Sequence, residues 1–390
     1  MRIVEAVMFR IGQFARARRF RRNYPGFSGV LGSAGADADH LRLTMEWLCI
    51  AQDATNSGGV SAYFDLLNKT WSQPYRETTG YIINTFFDYF ALTKDGEYER
   101  RAHAMGEWEL LQQCDDGSFG EPDDKGVLRK KIFNTGQIVL GLLAMHAHTG
   151  DARYKVAAQR AGDWLVGCQQ SDGSWIEPGS REAGKTYQSR VAWSLLELSE
   201  VVPKESYRRA AKNNIAWVLG QQRKNFWFDN TSLSHENEPW THLIAYTLSG
   251  LRESNAVIKD PKIQRAYLGA VRKLLEYYET VRRPRRALLP CSFDSQWHSR
   301  DAYSCLTGDA QLAIEWMHAY RMTRERRFFE SAEQILEALK AVQPMRGARE
   351  IRGGIAGSYP ISGAYGSYSM LNWAAKFFAD ALMLRKQIIQ

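Results

Sequence analysis

A threonine or serine followed by a long apolar stretch recurs along the chain, at Thr79, Thr135, Ser189, Thr241 and Thr307. The spacings are 56, 54, 52 and 66 residues, enough for one helical hairpin with its loops. A repeat of this length buries its apolar faces only by stacking unit on unit. Each stretch, such as TTGYIINTFFDYF or NTGQIVLGLLAMH, is apolar on most faces and reads as a buried helix. The hydroxyl in front is expected to cap that helix by accepting from an unpaired backbone N–H. A short polar turn, such as TKDGEYER or HTGDARYK, then leads into a more charged amphipathic helix, YKVAAQRAGDWLVGCQQ being one example. The unit is an inner helix followed by an outer one.

A sixth inner helix follows Tyr365, through GSYSMLNWAAKFFADALML, and its missing outer partner lies at the other end of the chain in HLRLTMEWLCIAQDA. The fold class is therefore all-α: an (α/α)6 toroid of six helical hairpins, closed by pairing the N-terminal outer helix with the C-terminal inner helix. No Pro/Gly/Ser-rich linker divides the 390 residues, so residues 38–390 are expected to form a single toroid domain. Residues 1–25 stand apart as a basic amphipathic segment.

The formal net charge of +8 is concentrated in that segment. Residues 1–22 hold seven arginines against Glu5, which leaves the body close to neutral and argues against nucleic acid as a partner. Their apolar residues fall at helical spacing. Two readings stand side by side: a helix lying on an anionic membrane surface or synthase complex, and a helix packed on the toroid with its arginines in solvent. No run of about 18 apolar residues and no secretory leader is present, so a cytoplasmic location is expected, with peripheral attachment at the inner face of the membrane in the first case. The cysteines are scattered, without the spacing of a zinc site, and Cys49, Cys114 and Cys168 recur near helix ends as small core-filling groups. No phosphate-cradling glycine loop or dinucleotide fingerprint occurs, and no cofactor or metal is expected.

In such a toroid the inner helices aim their N-termini at the end carrying the long loops, so the positive dipole ends converge on one funnel. The short turns at the other end have too few residues to build a site. The long loops are rich in aromatic residues, whose flat faces stack on sugar rings. Trp175, Trp240, Trp297, Tyr359 and Tyr365 are candidates for substrate binding, joined by Tyr81 and Asn134; wedging between hairpins is the competing role for Trp175. At the residue after the recurring hydroxyl the repeat places Gly80, Gly136 and Gly308, but Arg190 and His242 depart from that small-residue rule. Departures from a repeat are where function tends to be written. Glu77 and Asp309 are the candidate carboxylates for acid and base work, His242 and Tyr303 the alternative proton-transfer groups. Arg190, with a wider basic rim of Arg76, Arg129, Lys130, Lys131, Arg181, Lys185 and Arg300, suits an acidic sugar.

Seven motifs in order, ETTGYI at Glu77, FNTGQ at Phe133, SRVAWSLLEL at Ser189, EPWTHLIAYTL at Glu238, CLTGDAQLAIEW at Cys305, IRGGIAGSYPI at Ile351 and NWAAKFFADALM at Asn372, resemble the VpsJ-like polysaccharide biosynthesis proteins. The resemblance spans roughly Leu41 to Leu384. It implies a toroid related in architecture to six-hairpin glycosidases and a role in exopolysaccharide or surface-glycan synthesis, without assigning catalytic residues. The expected function is a carbohydrate-active enzyme that cleaves (hydrolase or lyase) or epimerises an acidic polysaccharide, such as one containing uronate, in an aromatic-lined pocket. The alternatives are a non-catalytic glycan-binding subunit of a synthase complex and a sugar 2-epimerase that pairs His242 with His235 or His298. Aspartate-rich DxDD and DDxxD motifs and a Cys-His zinc cluster are missing, which sets aside terpene and lanthionine cyclases.

Overall fold

The computed structural model describes residues 2–24, 35–180, 182–233, 238–281 and 287–389. After α1 (Arg2–Asn23), outer and inner helices alternate. The outer helix α2 (Asp37–Asp53) is followed by the inner helix α3 (Arg76–Thr93), and the series continues as α4 (Gly96–Gln112), α5 (Ile132–Thr149), α6 (Ala152–Cys168), α7 (Ser189–Val201) and α8 (Glu205–Gly220). It ends with α9 (Thr241–Ile258), α10 (Pro261–Val281), α11 (Leu306–Thr323), α12 (Arg326–Val342) and α13 (Asn372–Ile389). Each inner helix packs on the next, α13 closes the ring on α3, and α13 also packs on α2. The chain is the expected (α/α)6 toroid.

The inner helices approach closely where the repeat has glycine. A Cβ on Gly80 would lie 2.8 Å from Ile138 Cα of α5, and one on Gly308 2.1 Å from Thr241 Oγ1 of α9. The recurring hydroxyls, by contrast, do not cap. Helices α3 and α5 begin three residues before Thr79 and Thr135. Thr79 and Thr135 Oγ1 accept instead from the N–H groups of Val60 and Phe119, at 2.9 and 3.0 Å, and so pin each loop to its inner helix. The first N–H groups of the inner helices are already satisfied by the loop of the next hairpin. Asn372 N–H donates to Ala62, Thr241 N–H to Cys291 and Leu306 N–H to Gly357, all at carbonyls, while α3 and α5 use carboxylates described below.

A glutamine at the end of most outer helices ties the outer shell together. The Nε2 groups of Gln52, Gln113, Gln169 and Gln222 each donate to a left-handed turn residue, Gly58, Gly117, Gly173 and Phe226 in order. The same groups also donate to a carbonyl of the next outer helix, at Arg101, Ala157, Ala210 and Ala266. Gln343 repeats the arrangement across the seam between the two chain ends, donating to Gly353 O at 2.7 Å and to His40 O of α2 at 3.4 Å.

On the loop side a three-stranded antiparallel sheet joins the first hairpin loop, at Tyr63–Asp65 and Thr70–Trp71, to the last, at Ser369–Leu371, with Phe64 opposite both Trp71 and Met370. The end of α1 docks here. Asn23 Nδ2 donates to the carbonyls of Leu66 and Leu67 at 3.0 Å, and Phe20 packs on Tyr368 with ring centroids 5.6 Å apart. Arg18, Arg21 and Arg22 remain exposed on the same helix. Among the described residues no helix is long and apolar enough to cross a membrane.

Candidate functional site

The mouth on the loop side is built from the first turns of the inner helices. Glu77, one residue into α3, keeps a window on solvent while protein atoms surround it. Desolvation pushes its carboxyl up to about 7; Glu121 adds to the rise, while the Tyr75 hydroxyl, which donates to Oε2 at 3.1 Å, and Arg190 oppose it. The group is therefore largely protonated up to neutrality.

His242, in the first turn of α9, has the opposite bias. Burial, supported by the positive charge of Arg190, lowers its imidazole to about 4 against the opposing bond to Gln311. Gln311 Oε1 lies 2.9 Å from Nδ1 and accepts from it, which leaves Nε2 of the neutral ring as a proton acceptor. Tyr246, one turn along on the same helix, packs against the imidazole at 4.3 Å. Its hydroxyl reaches that of Tyr81 at 3.4 Å.

Below these groups the axis is plugged. Tyr81, Phe133, Tyr246 and Phe377 bring four inner helices together, with centroid separations of 5.8 Å for Tyr81 and Phe377, 5.9 Å for Tyr246 and Phe377, and 5.1 Å for Phe133 and Tyr246. Arg190 is sealed into this septum. Its Nε donates to Gln137 at 2.7 Å and Nη1 to Ser249 at 2.9 Å, and its guanidinium lies 4.8 Å from the Tyr246 ring centroid. It supplies positive potential from beneath the site and is not a free arm at the rim.

The aromatic rim gathers around Tyr365, whose hydroxyl accepts from Trp373 Nε1 at 2.8 Å and whose ring meets Trp240 at 5.0 Å and His242 at 5.8 Å. Tyr303 and Tyr359 are half-buried at the paired strands Ser304–Cys305 and Ser358–Tyr359, the Tyr303 hydroxyl turned toward Cys291. Asn134 donates to Glu121 at 3.4 Å and also bonds Tyr75, so it belongs to the Glu77 surroundings.

Three candidates stand elsewhere. Trp175 is fully enclosed and its Nε1 donates to Leu165 O at 2.8 Å, which makes it a wedge between hairpins. Trp297 is likewise tied away from the mouth: its Nε1 donates to Asn225 O at 3.0 Å, its ring packs on Trp227 at 5.0 Å, and its backbone is left-handed at φ 62°. Asp309 is completely buried and accepts from Leu289 N–H at 2.9 Å; lost solvation holds its carboxyl well above the usual range. It anchors a loop and does not face Glu77 across the funnel. His298 is exposed beside Asp294, and His235 lies outside the described residues. The basic rim is mostly neutralised, Arg76 by Glu121, Arg129 by Asp123, Lys130 by Asp116 and Lys185 by Glu182; Arg181 lies outside the described residues.

Sequence reasoning missed Glu121 and Glu177. Glu121 accepts from Arg76 N–H at 3.1 Å and Glu177 from Ile132 N–H at 2.9 Å, so each caps the inner helix of the preceding hairpin. The signal was present as GSFGEP and GSWIEP, a glutamate two residues after the wedge aromatic in successive repeats. Tyr246 was legible as the residue one helical turn beyond His242.

No family model matches the sequence, and no curated protein does. Among solved structures the chain resembles the unsaturated glucuronyl hydrolase of a Bacillus species, responsible for the degradation of glycosaminoglycan, with a TM-score of 0.70 over 89% of this chain and 96% of that one at 16% identity. A mutant of the Streptococcus agalactiae unsaturated glucuronyl hydrolase, complexed with dGlcA-GalNAc6S, gives 0.66 over 93% and 94% at 15% identity. The cellobiose 2-epimerase of Bacillus thermoamylovorans gives 0.68 over 90% and 98% at 12% identity. At these identities the likeness is one of fold, the (α/α)6 toroid.

Proposed function

We propose that the chain is a carbohydrate-processing enzyme that acts on an acidic glycan at the loop-side mouth by proton transfer between Glu77 and His242. The observation that carries this reading is the paired bias of two groups in the first turns of inner helices at the loop-side mouth: a carboxyl held up to about 7 and an imidazole, packed on Tyr246, held down to about 4. Environments that push two titratable groups apart in this way supply an acid and a base at one pH. On a uronate, Nε2 of His242 takes the proton next to the carboxylate and Glu77 delivers one, either to the opposite face, which epimerises the sugar, or to the leaving oxygen, which eliminates it. Arg190 stabilises the negative charge that develops between them.

Hydrolysis is a second reading, supported by the glucuronyl hydrolases among the structural neighbours. It keeps Glu77 as the proton donor but needs a second group to activate water. Asp309 is bound to Leu289, and Glu121 and Glu177 to helix N–H groups, so the base in that version is again His242. The ordered motifs that resemble VpsJ-like proteins support a setting in surface-polysaccharide synthesis, with the exposed arginines of α1 toward an anionic surface.

Purified protein incubated with uronate oligosaccharides in heavy water tests the reading. Deuterium uptake without cleavage marks an epimerase, gain of unsaturated-uronate absorbance a lyase, and shortened saturated products a hydrolase. Thermal stabilisation by a glycan with no product under any condition would replace the enzyme with a binding subunit.

A further inference from the structure

The opposite end of the toroid is not closed. The short turns were expected to build no site there; the inner helices themselves enclose a cavity of about 560 Å³ along the axis, from the short-turn side up to Arg190 and Gln311 beneath the aromatic septum. This is the size range of small-molecule pockets, roughly 300–1,000 Å³. The volume could have been filled with leucine and phenylalanine, as the rest of the core is. It is lined instead with polar and charged side chains from five inner helices, which is costly unless those groups are used.

The lining sorts into paired and free groups. Arg252 grips Glu315 through two hydrogen bonds, at 2.8 and 3.1 Å, and Glu253 through a third. Lys376 pairs with Asp380, which also accepts from Thr85 at 2.8 Å. These pairs cancel most of the charge. Arg321 and Lys386, exposed at the cavity mouth, make no ion pair among the described residues, and several acceptors are likewise unengaged. Asn84 Oδ1 is buried without a hydrogen bond, and Asp88, one turn further along α3, makes neither a hydrogen bond nor an ion pair among the described residues. His318 of α11 likewise makes none, and burial together with Arg252 and Arg321 keeps its ring neutral. The C-terminal dipole ends of the inner helices point to this mouth and disfavour an anion. Trp193 and Ile314 add an apolar wall.

We infer that this cavity is a second binding site, separate from the loop-side funnel, for a neutral, hydroxyl-rich ligand of mono- or disaccharide size whose O–H groups donate to Asp88 and His318. The Asp88 carboxylate and the neutral His318 ring offer acceptors on a lining whose charges nearly cancel, which suits a polyol, and the apolar wall suits the C–H face of a sugar ring.

The test titrates glucose, maltose and inorganic phosphate against the full chain by calorimetry, with thermal shift in parallel. Three variants are compared: Asp88→Ala, Ala91→Trp at the exposed cavity mouth, and Glu77→Gln in the loop-side funnel. One of the neutral sugars is expected to bind, at least tenfold more weakly in Asp88→Ala and Ala91→Trp and equally well in Glu77→Gln. Ala91 is solvent-exposed, so that variant blocks the entrance without removing a structural bond. Binding that survives both cavity variants, that disappears in Glu77→Gln, or that occurs with phosphate and neither sugar overturns the inference, as does failure of every probe to bind. Turnover of a uronate glycan that persists in Asp88→Ala separates this outcome from the fate of the loop-side reading.

Discussion

At the scale of single residues, the proposed chemistry rests on which carboxyl is solvated and which is tied. Glu77 works as a donor only while protonated, so activity falls as pH rises through about 7; His242 works as an acceptor only while neutral, so activity falls as pH drops through about 4. The expected kcat/KM profile is a bell between those limits, read with any glycan that turns over. Replacing Glu77 by Gln should lower kcat by about 10²–10⁴-fold, the usual worth of a positioned acid. Asp309→Asn is the matched control. The raised carboxyl is already neutral, and Asn keeps an oxygen for Leu289 N–H, so activity should stay within a few-fold and unfolding free energy within about 1 kcal/mol. A loss as large as that of Glu77→Gln would restore Asp309 as a catalytic acid. Glu77 and His242 could be picked out from sequence because they stand on the repeat beside the recurring hydroxyl. Asp309 looked equally eligible, since no spacing rule reveals that a loop twenty residues upstream delivers an N–H to it.

At the scale of elements, the repeat predicts helices well and their ends poorly. The apolar stretches marked every inner helix because burial on most faces is a local property of the sequence. Their N-termini were misjudged because the partners come from the next hairpin: Glu121 serves α3 and Glu177 serves α5, each some 45 residues away. The other helix ends show a second departure. Helices α3, α9 and α11 finish on left-handed Lys94, Lys259 and Arg324, where α5 uses Gly150. A side chain in that conformation costs about 1 kcal/mol relative to glycine. Lys94→Gly should therefore raise the unfolding free energy by about 0.5–1 kcal/mol in chemical denaturation, and an unchanged or lower midpoint would place the compensating interaction in the lysine side chain. Gly308→Ala tests the close contact of α9 and α11 from the other direction. A Cβ there would sit 2.1 Å from Thr241 Oγ1, so the helices must separate, at about 1–3 kcal/mol.

At the scale of the whole molecule, a ring has one joint that no covalent bond crosses, and this toroid closes it between α2 and the last hairpin. Sequence pairing of the chain ends anticipated which helices meet; it could not anticipate how, because the bonds span about 300 residues. Gln343 sits at the centre of the joint. Its Nε2 donates to Thr44 Oγ1 and Gly353 O at 2.7 Å, and its Oε1 lies 2.5 Å from Nδ1 of buried His40. Asp37, also in α2, bonds both Lys340 of α12 and Arg385 of α13, which hold its carboxyl below its ordinary range despite partial burial. Gln113 makes a similar clamp inside the chain, where the flanking helices stay connected through their turns. Gln343→Ala should thus cost about 2–3 kcal/mol, more than Gln113→Ala, because it strands buried partners at the seam. The joint also gives the seam a pH dependence of known sign. Burial lowers the His40 pKa below its ordinary 6.5, so the unfolded chain takes up that proton first and the contribution of neutral His40 is present above about 6.5 and is lost as pH falls. Other buried groups titrate in the same range, Glu77 with the opposite sign, so the quantity to measure is a difference: wild type minus His40→Asn, in denaturation free energy at pH 7 and pH 5. That difference should shrink on acidification. A difference that is flat or grows would mean that His40 carries its proton in the folded ring and that the seam is held by charge, not by a neutral imidazole.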